Sequence, residues 1–352
     1  MSCYHPYVGF DYGINEETGK KNIKVLPVVG NLKETLDANP GSMLIPCGKC
    51  IGCRMDYSRR WADRMMLEYE SAGSGIFVTL TYDCRHVVNL VGENIVDCTY
   101  PEIENTKQCP LNYACGEKCK RDGSLFADHL TTFMKDLRED LRHNYGKYIR
   151  FFGVGEYGSW ENTHRPHYHY ILFGIGLDDL KNKVFVGFNE LRQAGYTDPL
   201  ISDHWPYGIV HITDVSWKSC AYVARYTTKK ALDPSNDDFL DLLGKNHMFS
   251  RMSRRPGIGK PYLDEHPGCL DYQNIYLSTP DGAKKVNIPK YFVKQLESTN
   301  KEKYDSIIAQ RALYAQDSMM SKLSQTDLSF EDYLEVEEKA MIEKVKSLKR
   351  SI

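Results

Sequence analysis

Hydrophobic positions along the chain switch several times between helical and alternating spacing, and the switches divide it. Residues 1–46 show only short apolar runs and read as an irregular arm with short strands, Asn39-Pro40-Gly41 marking a turn. From about Met55 to Ala72 the spacing is helical: Tyr57, Trp61, Met65 and Tyr69 fall every fourth residue on one stripe, and Gly73 stands where a stop is expected. Ile76 to Tyr82 is β-branched and aromatic and predicts a buried strand. Residues 83–122 have no clear period and read as an insertion. From Ser124 to about Tyr145 the helical spacing returns, with Phe126, Leu130, Phe133, Met134, Leu137 and Leu141 on one face and Gly146 as the stop. Tyr148 to Gly155 and His167 to Phe173 read as strands of a hairpin whose long polar loop holds Gly158, Asn162 and Pro166. Residues 177–207 are ambiguous. Gly208 to Ile212 is a short strand, and Asp214 or Ser216 can cap a helix running to about Leu232. Residues 263–290 are turn-rich and weakly patterned. From about Tyr291 the chain is helix-prone, and its 11 acidic and 10 basic residues nearly cancel, which predicts a solvated helical tail. No internal repeat is visible.

Composition narrows the classes. At about 150 residues per domain, 352 residues suggest roughly two units. With 41% apolar and 26% charged residues, the chain can bury a sizeable core, and wholesale disorder is excluded. A net charge of −2 excludes a uniformly basic polyanion binder, so a nucleic-acid site must be a local patch. No apolar run reaches the roughly 18–20 residues of a membrane span, so no membrane partner is expected. The opening residues, Met1-Ser2-Cys3-Tyr4-His5-Pro6, lack a basic head followed by an apolar stretch, so no secretory signal is expected. Eleven cysteines, an odd number, fit a reducing cytoplasm and point first to metal. The 24 tyrosines suit stacking on unpaired bases as well as ordinary packing.

Four stretches carry candidate chemistry. In Arg165-Pro166-His167-Tyr168-His169-Tyr170, side chains two apart share a face of a strand. His167 and His169 therefore project together, and Tyr168 and Tyr170 point the other way. Such a pair can sit near a sheet edge without any ligand. Glu156, at the end of the partner strand, adds a carboxylate, and this set suits Mg²⁺ or Mn²⁺ better than a closed zinc site. Glu161 and His164 in the loop are weaker candidates. In the 222–230 stretch, Tyr222 and Tyr226 are i, i+4 neighbours, with Arg225 and Lys229 on an adjacent strip. This is either an amphipathic helix with two half-core tyrosines or a pair of nucleophiles. A phenol with a pKa near 10 needs a metal and nearby cations to attack a phosphodiester.

Cys47-Gly48-Lys49-Cys50-Ile51-Gly52-Cys53 is two C-x₂-C steps sharing a cysteine. A ferredoxin-type run would need a cysteine where Tyr57 stands. Structural zinc is favoured, with free thiols as the alternative. Cys3 leads as fourth ligand, followed by His5 and then Cys109, Cys115 or Cys119. Residues 218–260 hold nine Lys/Arg against four Asp. Lys230, Arg251, Arg254, Arg255 and Lys260 are candidate DNA contacts there, unless 250–259 is simply a solvated loop. Lys49, Arg54, Arg59, Arg60 and Arg64 form a smaller cluster.

These residues, in this order, resemble the rolling-circle replication initiators of the histidine–hydrophobe–histidine (HUH) endonuclease superfamily. The strand at 77–82, the histidines at 167–169 and the tyrosine helix at 222–226 carry that likeness. Pro46 to Arg54, Gly155-Glu156-Tyr157-Gly158, Arg165 to His169 and Ser253 to Gly259 narrow it to replication initiators of small single-stranded DNA phages, the gokushovirus branch of the Microviridae. The resemblance covers roughly residues 1–262. It implies an α+β fold with an antiparallel sheet of about five strands carrying the histidines, flanking helices, a Cys-rich N-terminal arm and a helical C-terminal tail. The expected division is 1–54, 55–262 with 83–122 inserted, and 263–352.

The resemblance also implies metal-dependent nicking of an origin through a 5′-phosphotyrosine link. His167 and His169 would bind metal, and Tyr222 and Tyr226 would cut and rejoin in alternation. The freed 3′-hydroxyl would prime the host polymerase. Where many relatives have Lys between the tyrosines this chain has Arg225, so Lys229 or Lys230 takes the phosphate role; the third metal ligand varies across the superfamily. No helicase P-loop follows, so a host helicase is the expected partner, in the host bacterial cytoplasm. A transposase or relaxase of the same superfamily, and a zinc-stapled nucleic-acid binder without catalysis, are the alternatives.

Overall fold

The structure, a computed structural model, describes residues 3–17, 21–83, 86–87, 123–158, 165–189, 192–232, 240–279 and 282–349, without the side chains of 21, 226–232, 279 and 347–349. Its first elements are β1 (Tyr7–Ile14), β2 (Lys21–Leu26), α1 (Leu32–Ala38), β3 (Met43–Ile45), α2 (Ile51–Ala72) and β4 (Gly75–Tyr82). Then come α3 (Ala127–Tyr145), β5 (Arg150–Tyr157), β6 (Pro166–Phe173), β7 (Val184–Phe188), β8 (Ala194–Thr197), α4 (Pro199–Ser202), β9 (Gly208–Asp214) and α5 (Trp217–Leu232). The last are β10 (Phe249–Met252), α6 (Lys260–Glu265), β11 (Asn274–Thr279), β12 (Gly282–Asn287), α7 (Lys290–Thr299), α8 (Lys301–Leu323) and α9 (Phe330–Lys349). The fold is α+β. Among the described residues no helix is long and apolar enough to cross a membrane.

Two compact units divide the chain, residues 58–289 in one and residues 1–57 with 290–352 in the other. The expected arm and most of the expected C-terminal extension thus share a unit. Residues 263–289 fall with the histidine sheet, and they include the β11–β12 hairpin, so the extension is less helical than its composition suggests.

The larger unit is built on a seven-stranded antiparallel sheet in the order β10-β5-β6-β4-β9-β8-β7. Seven strands replace the expected five. The additional ones escape pattern reading: β7 is exposed along nearly its whole length, and β10 is a four-residue edge strand inside the basic stretch. Trp205, from the region without a clear reading, is buried in the core and donates Nε1–H to the Thr81 carbonyl at 3.3 Å.

One face of the sheet packs on α3. Leu130, Phe133, Met134, Leu137 and Leu141 bury the predicted stripe against Val78, Leu80, Tyr168 and Tyr170. Gly146 closes α3 at φ +63, a conformation costly for any residue with a Cβ. The buried phenols here are tied down. The Tyr168 hydroxyl accepts from the Phe126 N–H at 2.8 Å and donates to the Phe126 carbonyl at 3.1 Å, and the Tyr170 hydroxyl donates to the Leu130 carbonyl at 2.7 Å. The opposite face carries α2 and α5: Trp61 packs on Phe152 at 5.1 Å between ring centroids, and Tyr222 on Phe77 at 6.2 Å. The two helices also meet each other, where the Trp217 Nε1–H donates to Asp63 at 2.8 Å.

A buried charge pins the basic loop. Glu68 on α2 is 1% exposed and accepts from Arg150 Nε and, at 2.6 Å, from the Gly259 N–H. Arg150 Nη2 donates in turn to the Pro256 carbonyl at 2.8 Å, and Arg64 donates twice to the Ile258 carbonyl.

The smaller unit holds a three-stranded antiparallel sheet, β2-β1-β3, with α1 and α7 to α9. The terminal helix α9 is not simply solvated: Leu334 is buried in a cluster with Cys3, Tyr4, Val8, Leu32 and Cys50.

Glu68→Ala leaves Arg150 and the Gly259 amide without their buried acceptor and is expected to destabilise the larger unit by about 3–5 kcal/mol in urea unfolding. Glu68→Gln keeps an acceptor and is expected to lose clearly less. Equal losses would mean that the carboxylate serves only as packing volume.

Candidate active site

The histidines sit where strand alternation places them. Register puts Glu156 of β5 and Thr81 of β4 on either side of His167, and Val154 and Thr79 on either side of His169. Partners opposite one another share a face, so Glu156, His167, His169, Thr79 and Thr81 all project away from the α3 core. Glu156 and His169 are both 4% exposed, and Glu156 Oε1 lies 2.7 Å from His169 Nε2. With the carboxylate as acceptor, the ring carries its proton on Nε2. Nδ1 then accepts from the Thr79 hydroxyl at 3.0 Å. The His167 ring centroid lies 6.3 Å from that of His169. His167 Nδ1 is buried with no hydrogen-bond partner among the described residues. Burial, and then the neighbouring His169, hold His167 down to about 4, so its imidazole is neutral near pH 7.

The tyrosine helix lies over this face. The Tyr222 ring meets the His169 ring edge-on at 5.3 Å, and the Arg225 guanidinium carbon lies 5.8 Å from the Tyr222 centroid. Ser219, Cys220, Val223 and Ala224 are buried and seat α5, while Tyr222 and Arg225 are half-buried. Tyr226, Lys229 and Lys230 belong to the same helix, and their side chains lie outside the described residues, as do Glu161 and His164. The phenols of the core are of another kind. Burial pushes Tyr82, Tyr168 and Tyr170 up in pKa, so they remain neutral.

One residue of this face escaped sequence reasoning. His211 on β9 pairs with Thr79, so it shares the histidine face, and burial lowers its pKa. A lone histidine in a short strand carries little signal; only its alternation with Val210 and Ile212 marks its side. Gly195 makes room for it, since a Cβ there would overlap the His211 ring.

The cysteines come together. The Sγ atoms of Cys3, Cys47, Cys50 and Cys53 all lie within 4.8 Å of one another. Burial pushes the Cys3 and Cys53 thiols up, the latter to about 11. At Cys50 burial acts the same way but is outweighed by N–H donors from Tyr4 and Cys53, and the thiol falls to about 7. His5 is engaged by Glu338 at 2.6 Å. Cys109, Cys115 and Cys119 lie outside the described residues.

The basic stretch is spread out. Arg251, Arg254 and Arg255 are exposed, and Lys260 is ion-paired with Asp264 on α6. Met252 pairs with Phe152, and the Ser253 N–H donates to the Phe151 carbonyl. The loop therefore leaves the sheet beside Arg150, about 20 Å along β5 from Glu156. A second basic feature gave no sequence signal. Lys135, Arg138, Arg142, Lys147 and Arg251 line a cavity of about 830 Å³ beside the exposed Tyr148, brought together from α3, the turn after it and β10.

Comparison with known proteins gives a consistent result. The family model for the replication-associated protein ORF2 matches residues 75–231, the segment from β4 through most of α5. A replication-associated protein ORF2 of Spiroplasma virus 4 is 31% identical over 88% of this chain and 85% of its own length. A replication-associated protein VP4 of Bdellovibrio phage phiMH2K is 29% identical over 81% and 78%. A replication-associated protein ORF4 of Chlamydia phage 1 is 28% identical over 54% and 39%. No solved structure matches the chain.

Thr79→Val removes the hydroxyl that donates to His169 Nδ1. In ¹⁵N–¹H correlation spectra of the imidazoles, His169 is expected as a single Nε2–H tautomer in the native chain and as a mixture in the variant. An unchanged tautomer in the variant would show that Glu156 alone orients the ring.

Proposed function

From membership in the family of the replication-associated protein ORF2, to which this chain belongs, we propose that it starts rolling-circle DNA replication in a phage-infected cell. In this reading it nicks single-stranded DNA at the origin and later rejoins it, with Tyr222 and Tyr226 as nucleophiles. The observation that carries the reading is the Tyr222 ring standing 5.3 Å from that of His169, on the face that also bears His167 and Glu156. A phenol held there lies beside imidazole and carboxylate groups, and not among the aromatic rings of the core.

Those groups fit a hard divalent cation, Mg²⁺ or Mn²⁺. His167 offers a neutral ring with an orphaned, buried nitrogen, and His169 Nε2 and Glu156 Oε1 already converge. Bound by these three, such an ion would polarise a phosphodiester oxygen and offset the charge that develops there. Around it, the chain does the rest. Thr79 fixes the His169 ring, and Glu156 holds its other nitrogen. The Tyr222 oxygen attacks phosphorus; the tyrosine–phosphate bond forms as the bond to the 3′-oxygen breaks. The phenolic proton ends on the released 3′-hydroxyl. Arg225, with Lys229 or Lys230, balances charge on the phosphate. Tyr226, one helical turn on, makes the second transfer that recloses the strand. The freed 3′-hydroxyl is then a primer for the host DNA polymerase, with unwinding supplied by a host helicase in the bacterial cytoplasm. Arg251, Arg254, Arg255 and Lys260 contact backbone phosphates away from the cut.

The test is covalent capture. Labelled single-stranded origin DNA is incubated with the chain and Mn²⁺, then treated with detergent and heat. A surviving protein–DNA adduct is expected; complete dissociation would favour a non-catalytic binder. Tyr222→Phe and Tyr226→Phe are each expected to impair the nick-and-rejoin cycle, and the double change to abolish capture. Full capture by the double variant would overturn the nucleophile assignment. His167→Ala and His169→Ala are expected to remove the metal dependence along with the adduct.

Replacing Arg254 and Arg255 together by Ala is expected to weaken binding to all single strands and to lower the salt slope of log K by about 1.4, since each phosphate contact contributes about 0.7 on a single strand. Cleavage at saturating DNA is expected to survive. An unchanged salt slope would remove these two residues from the DNA footprint.

A further inference from the structure

The cysteine cluster is arranged for an ion and not for a disulfide. Zinc held at about 2.3 Å by four sulfurs in a tetrahedron sets those sulfurs about 3.8 Å apart. Cys3 Sγ and Cys50 Sγ are 3.9 Å apart, and all four sulfurs fall within 4.8 Å of one another. A disulfide would need about 2.05 Å, and all four cysteines are free thiols.

The backbone around the cluster points the same way. Lys49 and Cys50 N–H groups donate to Cys47 Sγ at 3.4 and 3.3 Å. The Cys47 N–H donates to Cys3 Sγ at 3.2 Å, and the Tyr4 N–H to Cys50 Sγ at 3.4 Å. Gly48, at φ +75, makes the tight turn that aims two of these donors. Amide hydrogens directed at sulfur favour the thiolate, the form that ligates metal. Cys50 immediately precedes α2 and Cys53 lies in its first turn, where the helix dipole also favours negative charge.

We propose that Cys3, Cys47, Cys50 and Cys53 bind one zinc ion as a tetrathiolate. Four protein ligands leave no open coordination position, so the site is structural. Binding displaces the thiol protons, and the ion joins the N-terminal segment at Cys3 to the knuckle at 47–53. Within the same unit α9 rests on this floor. Phe330, Tyr333, Leu334 and Met341 pack against the cluster, Glu338 pairs with His5 at 2.6 Å, and Glu331 accepts from the Leu32 N–H at 2.5 Å. Zinc therefore orders the N-terminal segment directly and the C-terminal helix through it.

The full chain, purified without chelators, is assayed by elemental analysis and zinc-edge X-ray absorption. One zinc per chain with four sulfur neighbours at about 2.3 Å is expected. Cys50→Ser is expected to lose the zinc, while Cys269→Ser, outside the cluster, retains it. After zinc is stripped, amide exchange over 330–349 is expected to accelerate. Nitrogen or oxygen neighbours at the metal, iron in place of zinc, or zinc content unaffected by Cys50→Ser would each overturn the proposal. The absorption spectrum is taken on the native chain, so a misfolded variant does not decide the matter. Metal content is read independently of DNA, so this result and the capture result can fail separately.

Discussion

The arrangement of the larger unit depends on the two-residue alternation along β6 and on what holds its register. Tyr168 and Tyr170 go to the α3 side, and their hydroxyls are bound to the main chain of Phe126 and Leu130. A slip of one residue would carry two imidazoles into a dry aromatic core and leave those main-chain groups unpaired, at about 1–3 kcal/mol for each unsatisfied group. The phenols that do no chemistry therefore determine where the imidazoles point. The opposite face follows: Glu156 and Thr81 flank one histidine, Thr79 and Val154 the other, and α5 lays Tyr222 across the pair.

Much of this arrangement was legible in the sequence because it is local. The stripe of α3, the alternation in β4 and β6 and the closely spaced cysteines each lie within a few turns or one strand, where period and spacing decide side-chain direction. The elements that escaped are those set by distant partners. β7 and β8 complete the sheet with exposed or half-buried residues that no single window distinguishes from loop. β10 is a strand because β5 offers it an edge. The helical tail looks solvated when read alone, since Leu334 is buried only by residues near the opposite chain end.

At the candidate site the same division holds. Glu156 was legible as the end of a hairpin strand, yet its hydrogen bond to His169, and not to the directly opposite His167, is a matter of rotamers. Thr79 and His211 were missed because a threonine or single histidine in a strand is ordinarily packing; cross-strand register alone assigns their side. The cations lining the α3 cavity come from separate segments and form no run in the sequence.

The position of the arginine-bearing loop has a consequence for substrate length. Glu68 and Arg64 clamp its backbone next to Arg150, at the far end of β5 from Glu156, so its separation from the imidazoles is built into a stiff strand. A sheet used in this way acts as a ruler. Short oligonucleotides can reach one end or the other, while a strand longer than about 20 Å can span both and gain the second set of contacts without a second encounter. Affinity should then rise in a step with length instead of smoothly.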